Sequence, residues 1–206
     1  MTSRAFLPFF ALFGLLLAKA AASVEIREVE FGKARPIGAK EEWLEIAVEL
    51  EVRRDSADPT RVNPDFADRA TIWLALAFER DAGRYGRGET SRFAFYRSQA
   101  TFVSLEAGSS VARFYLPPEI LRRDRLGRLP HSFLVEVRRL GETLDGLASD
   151  ALGDPATRES FLERVAQEGP ATDGVLLPQP ETPFLLEHPR SSPAYLKPNP
   201  STKVVE

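Results

Sequence analysis

Residues 43–53 read Trp43-Leu44-Glu45-Ile46-Ala47-Val48-Glu49-Leu50-Glu51-Val52-Arg53. Leu44, Ile46, Val48, Leu50 and Val52 share one phase of a period of two. Trp43, Glu45, Ala47, Glu49, Glu51 and Arg53 share the other. Strict apolar–polar alternation describes an antiparallel strand with one face in a core and one in water. A one-residue slip would turn all five apolar side chains outward, so the register is firmly specified. The outward glutamates read as charge that keeps an exposed sheet from pairing with its neighbours, and Trp43 as the one large apolar residue on that face.

Outward from this stretch the pattern stays β. Residues 24–33 carry Ile26 on one phase and Val29 and Phe31 on the other, so a bulge or a switch between sheets is expected near Arg27-Glu28. Pro36-Ile37-Gly38 is a turn. Residues 55–68 form a polar loop with Pro59 and Pro64. Residues 70–79 are apolar or small on both faces, which predicts a central strand covered on both sides. Residues 80–91 read as an exposed hairpin loop. Strands follow at 93–97, 100–105 and 111–116, the last ended by Pro117-Pro118. Pro118 to Arg123 reads as a short helical turn with proline at its start. Phe133, Val135 and Val137 mark the last clear strand. Strands at this spacing, joined by Gly/Pro turns, give a mainly β chain with an immunoglobulin-like β-sandwich; a small closed barrel is the alternative.

Beyond residue 150 the pattern changes. Asp154 as N-cap and Pro155 at the first helical position predict one short C-terminal helix over 158–167, with Phe161, Leu162 and Val165 as a narrow docking stripe. Seven prolines between Pro178 and Pro200 predict an extended or disordered proline-rich tail unable to build a core, whose deletion after Pro178 would leave the fold intact. The organisation expected is a signal peptide over 1–22, a sandwich over 23–150, a helix and clip packing on it over 151–177, and the tail over 178–206.

The amino terminus has Arg4, an apolar run of 13 residues from Ala5 to Leu17, and Ala20 and Ala22 before Ser23. This describes a cleavable secretory signal, and the run is short of the roughly 20 residues needed to span a bilayer. Removing 1–22 takes two cations and no acid from a formal charge of −3, leaving −5. That balance argues against general nucleic-acid binding. There is no cysteine, which excludes disulfides, thiolate zinc and a cysteine nucleophile. The expected location is therefore periplasmic or the cell surface, with no transmembrane segment after cleavage.

No catalytic pattern emerges. His131 and His188 have no paired-ligand spacing, no G-x-S-x-G elbow is present, and the carboxylates of residues 45–51 are a wet strand face. A hydrolase with two distant carboxylates is the residual enzymatic reading; the expectation is no enzyme, metal or cofactor. Two features could bind. One is the basic segment Arg122, Arg123, Arg125 and Arg128, which would suit an acidic partner, an anionic glycan or lipid headgroups, unless the arginines pair locally with Glu119 and Asp124. The other is the aromatic set Trp43, Trp73, Tyr96 and Tyr115, a sugar platform if exposed and core or cross-strand packing if not.

Gln99-Ala100-Thr101-Phe102-Val103-Ser104-Leu105-Glu106-Ala107-Gly108, with Phe114-Tyr115-Leu116-Pro117-Pro118-Glu119-Ile120, Arg123-Asp124, Glu42-Trp43 and Asp173-Gly174-Val175-Leu176-Leu177-Pro178-Gln179, resembles a group of exported pilus-like proteins associated with type IV pilus-like gene clusters. The resemblance spans about residues 24–184. It implies an immunoglobulin-like sandwich, a signal peptide and a non-enzymatic surface or assembly role, and it transfers no catalytic residue. The chain lacks the long apolar amino-terminal helix of a pilin, so the resemblance implies an accessory protein that binds envelope or pilus-like proteins. An envelope carbohydrate-binding module is the alternative.

Overall fold

The structure is a computed structural model that describes residues 24–54, 63–80 and 92–196. The expected signal peptide, the loop residues 55–62 and 81–91 and the last ten residues lie outside the described residues.

The strands are β1 (Val24–Ala34), β2 (Trp43–Val52), β3 (Phe66–Asp68), β4 (Ala70–Glu79), β5 (Phe93–Thr101), β6 (Ser104–Glu106), β7 (Gly108–Leu116), β8 (Ser132–Arg139), β9 (Glu142–Ala148) and β10 (Leu177–Pro178). The helices are α1 (Pro118–Arg123) and α2 (Pro155–Glu168). One sheet runs β1-β2-β7-β10 and the other β5-β4-β8-β9, with β3 and β6 as a separate pair. Every pairing is antiparallel. This is a two-sheet sandwich, not a closed barrel.

The stretch that opened the reading is β2. Its five inward residues are each at most 3% exposed, and burying such side chains is worth about 1.5–3 kcal/mol apiece before entropy. The expected break in β1 is present: the register shifts between Ile26 and Glu28. Val29 and Phe31 then take over the inward phase, and the Ile26 N–H donates to the Asp145 carboxylate on β9 at 2.7 Å. One reading of β2 changes. It lies between β1 and β7, so its glutamates line an open sheet face rather than guard an edge.

β4 is central and covered on both sides. Ile72, Leu74, Leu76 and Phe78 face the inter-sheet core, while Ala75 and Ala77 are buried on the other side beneath Phe161 and Val165 of α2. The two alanines let the helix approach. Asp154 caps α2 by accepting from the Thr157 N–H at 2.9 Å, and its carboxyl sits below its ordinary pKa because of that bond. Gly169 ends the helix, where a Cβ would stand 3.1 Å from the Arg97 Cδ. The cap and first helical position are those expected, and the helix fills the span from them, Pro155–Glu168, rather than 158–167.

β9 had no sequence signature. Its residues, Glu142 to Ala148, do not alternate, and none is fully buried. Its pairing with β8 is set by the turn, where Leu140 and Gly141 both take positive φ, 50° and 86°. Two successive left-handed residues match the twist of an antiparallel pair.

The tail departs most from expectation. As far as residue 196 it is a succession of turns, beginning with a 3-10 turn over Gln179–Glu181, that is firmly packed and contributes to the core. Leu177 and Pro178 pair with Tyr115 and Phe114. Phe184 is wholly buried and stacks on Tyr115, with ring centroids 4.2 Å apart and planes 13° apart. Buried Gln179 donates to the carbonyls of Phe184 and Glu187 at 3.0 and 2.7 Å, and accepts from the Ser192 hydroxyl at 2.8 Å. Further on, the Val111 N–H reaches the Ser191 carbonyl and the Val103 N–H reaches that of Ala194, each at 2.9 Å. Tyr195 lies against Phe102 at 4.7 Å, and burial pushes its hydroxyl up to about 12. Prolines lack N–H groups, so this tail holds largely by carbonyls and side chains, joined by the Leu196 N–H, which donates to the Thr101 carbonyl at 2.7 Å.

The tail is therefore needed for the fold. Phe184→Ala is expected to cost about 3–5 kcal/mol in a urea unfolding titration. Leu186→Ala, at a position 86% exposed, should stay within about 0.5 kcal/mol of the parent.

Candidate interaction site

The antiparallel registers bring one set of connections to a single end of the sandwich. β1 ends and β2 begins there, joined by residues 35–42. β7 ends opposite the start of β2, with Leu116 facing Leu44, so α1 and the basic segment sit beside that loop. The link is direct: the Arg122 guanidinium donates to the Glu41 carboxylate. The Phe184 ring meets Trp43 edge-on at 5.6 Å, which places the tail's turn at the same end.

Each part has a local cause. In the first loop Gly38 takes φ 82° and the Ala39 N–H closes on the Pro36 carbonyl at 3.0 Å. This tight turn holds Ile37 97% exposed at its tip. After α1 the chain reverses through Arg125 in the left-handed region, φ 52°, and the Leu126 N–H bonds to the Leu121 carbonyl at 2.9 Å. Leu129 follows, 67% exposed, before the His131 N–H pins the chain to the Ala77 carbonyl at 2.8 Å.

Trp43 and the four arginines, far apart in sequence, are thus gathered, and the arginines divide into two pairs. Arg122 is held by Glu41. Arg123 grips both oxygens of Asp124 at 2.7 Å, and the Tyr96 hydroxyl donates to the same carboxylate. Burial would raise the Asp124 pKa, but Arg123 and Tyr96 outweigh it and the carboxyl lies below its ordinary value. Burial, then the bond to Asp124, pushes the Tyr96 hydroxyl far up. Local pairing therefore accounts for Arg122 and Arg123, with Glu41 in place of the expected Glu119. Arg125 and Arg128 are exposed and pair with no carboxylate of the described residues.

The aromatic set is not a platform. Tyr96 and Tyr115 are fully buried, Trp73 lies under the Arg138 guanidinium at 4.9 Å, and Trp43 is half-covered by Phe184. A Tyr96→Ala change would test the core, not a sugar site. Sequence reasoning missed Ile37 and Leu129; the available signal was an isolated aliphatic residue inside a Pro/Gly turn and a basic loop. Among the described residues no three His, Asp or Glu side chains come together to hold a metal, and no helix is long and apolar enough to cross a membrane.

No protein-family model and no curated protein matches the chain. Among solved structures, a crystal structure from Akkermansia muciniphila superposes with a TM-score of 0.64 at 14% identity, covering 85% of this chain and 93% of that one. The similarity is one of fold.

Asp124 gives this end a pH signature. Its folded pKa lies below the ordinary aspartate value of 3.8, so its contribution is complete above that pH and is lost as pH falls through the folded value. Asp124→Asn should cost about 1–3 kcal/mol at pH 7. In unfolding titrations the gap to the parent should close as pH drops below 3.8.

Proposed function

We propose that this chain is an exported, non-enzymatic interaction protein of the cell envelope, accessory to a pilus-like or other envelope assembly, and that it binds a protein partner through the loop end of its sandwich. The observation that carries the reading is that exposed Ile37 and Leu129, half-exposed Trp43 and exposed Arg125 and Arg128 all belong to the connections at this one end. Apolar side chains held out on tight turns cost solvation unless a partner covers them, and such patches rimmed by charge are characteristic of binding surfaces. Arginines without carboxylate partners favour an acidic rim on the other side and speed encounter with it.

Export is supported by the amino-terminal pattern of residues 1–22, and the periplasm or cell surface is the location that follows from it. The envelope assembly role is supported by the resemblance to exported pilus-like proteins described above. The wholly cysteine-free composition leaves the protein indifferent to redox conditions at that location.

Photo-crosslinking from position 37 or 129 in exporting cells tests the proposal. A discrete adduct with an envelope protein is expected, reduced about tenfold in Arg125→Glu/Arg128→Glu and in Trp43→Ala by loss of rim charge and apolar contact. An adduct pattern indifferent to all three substitutions, in proteins that melt like the parent, would refute it.

A further inference from the structure

The chain carries two surfaces of opposite charge whose ions lack partners. One is the outer face of β1 and β2. Glu28, Glu30 and Glu49 stand exposed there, and none pairs with a cation of the described residues. Glu28 lies directly opposite Glu49, an arrangement that costs stability unless a cation covers it. Glu45 differs: the Tyr115 hydroxyl donates to it at 3.0 Å and the Arg113 Nε lies 3.2 Å away.

The face is also concave. A trough of about 390 Å³ lies among Glu28, Glu30 and Glu45, over Gly32 and Ala47. The register shapes it, because Gly32 stands opposite Glu45 and Ala47 opposite Glu30. Each long acid therefore faces a residue with little or no side chain. Beyond its chain neighbours, a Cβ on Gly32 would come no nearer to another atom than 3.9 Å, at the Glu45 Oε2. Packing does not demand the glycine, and its missing side chain keeps the trough open.

The other surface is the loop end. Ile37 and Leu129 project from its turns, and Lys40, Arg125 and Arg128 are exposed cations without a carboxylate partner among the described residues. Two β1–β2 faces brought together would oppose glutamates, and two loop ends would oppose arginines. Like charges set against each other at an interface repel. Setting an end against a face is the self-pairing that matches charge, and it also puts a projecting surface into a concave one.

We infer that the chain assembles with itself in this way, the loop end of one copy placing Arg125 and Arg128 against Glu28, Glu30 and Glu49 of the next. Such a contact is heterologous, so a pair still offers one face and one end, and the assembly extends as an open series or closes as a ring. The inference rests on the loop end being a protein-binding surface and names its partner as a second copy.

Sedimentation velocity on the full chain purified from exporting cells tests it. At about 20 mM salt, where screening is weak, association is expected with a dissociation constant of roughly 10–100 μM, as for a small charge-led interface. At about 0.5 M salt it should weaken at least about tenfold. Glu28→Lys/Glu49→Lys and Arg125→Glu/Arg128→Glu should each be monomeric, since each brings like charges to the contact. Mixed in equal amounts they should associate again, because the end of the first and the face of the second keep the parental charges. A parent still monomeric at about 1 mM, ten times the weakest constant expected, would overturn the inference. So would association indifferent to salt or to either variant, or a mixture that stays monomeric while both variants melt like the parent. A monomeric parent that still gives the adduct from position 37 or 129 with another envelope protein would overturn this inference alone. Loss of that adduct as well would remove the loop-end reading beneath it.

Discussion

A two-sheet sandwich without cysteines has to close its own edges and faces with its own chain. Sheets end in unpaired N–H and C=O groups, and an uncovered apolar face recruits neighbours. Here the segment after β9 does that work. α2 covers the outer face of one sheet over Ala75 and Ala77. Residues 169–173 cover the β5 edge, where the Thr172 hydroxyl donates to the Phe95 carbonyl at 2.6 Å and Arg97 grips Asp173 through 2.7 and 2.8 Å bonds. The tail then seals the β7 edge. Arg113 fixes it from beneath, bonding to the Ser191 and Ser192 hydroxyls at 3.2 Å while its Nε pairs with Glu45 at 3.2 Å.

This closure leaves charge unevenly distributed. The outer face of β1 and β2 shows Glu28, Glu30, Glu49 and Glu51, whereas the loop end shows exposed arginines. The glutamates oppose each other across the pairing, Glu28 to Glu49 and Glu25 to Glu51. Like charges directly opposite cost stability, yet they also keep the open face from stacking on another sheet. Arg53 offsets part of the cost by bonding to Glu25 at 2.8 Å.

The fold was legible wherever the signal is local. β2 and β8 announce themselves by alternation, β4 by a run apolar or small on both faces, and α2 by its N-cap. β9 was not, because it is a half-exposed edge strand whose pairing comes from the Leu140-Gly141 turn. The tail was misread because proline content says that a segment cannot form a ladder, not that it cannot dock. Phe184, Gln179 and Tyr195 are single side chains without periodicity, and their burial depends on distant partners, Trp43 and Tyr115 for Phe184 and Phe102 for Tyr195. For the candidate site, residue types were readable and convergence was not. Nothing local in Glu41 says that it meets Arg122.

The placement of the described chain ends bears on how the loop end can be used. Val24 pairs with Val52, and the Leu196 N–H bonds to the Thr101 carbonyl at 2.7 Å. Both positions lie at the end of the sandwich away from Trp43 and α1, because the registers run Val24 to Val52 at one end and Ala34 to Trp43 at the other. The two ends of the described chain thus share the far end of the sandwich. The strand length sets the separation: the ten residues of β2 span about 33 Å at 3.3 Å each. The loops at the near end are ordered by the chain itself, since residues 35–42 and 117–131 are fixed by Glu41–Arg122, Asp124–Tyr96 and the tail's Phe184.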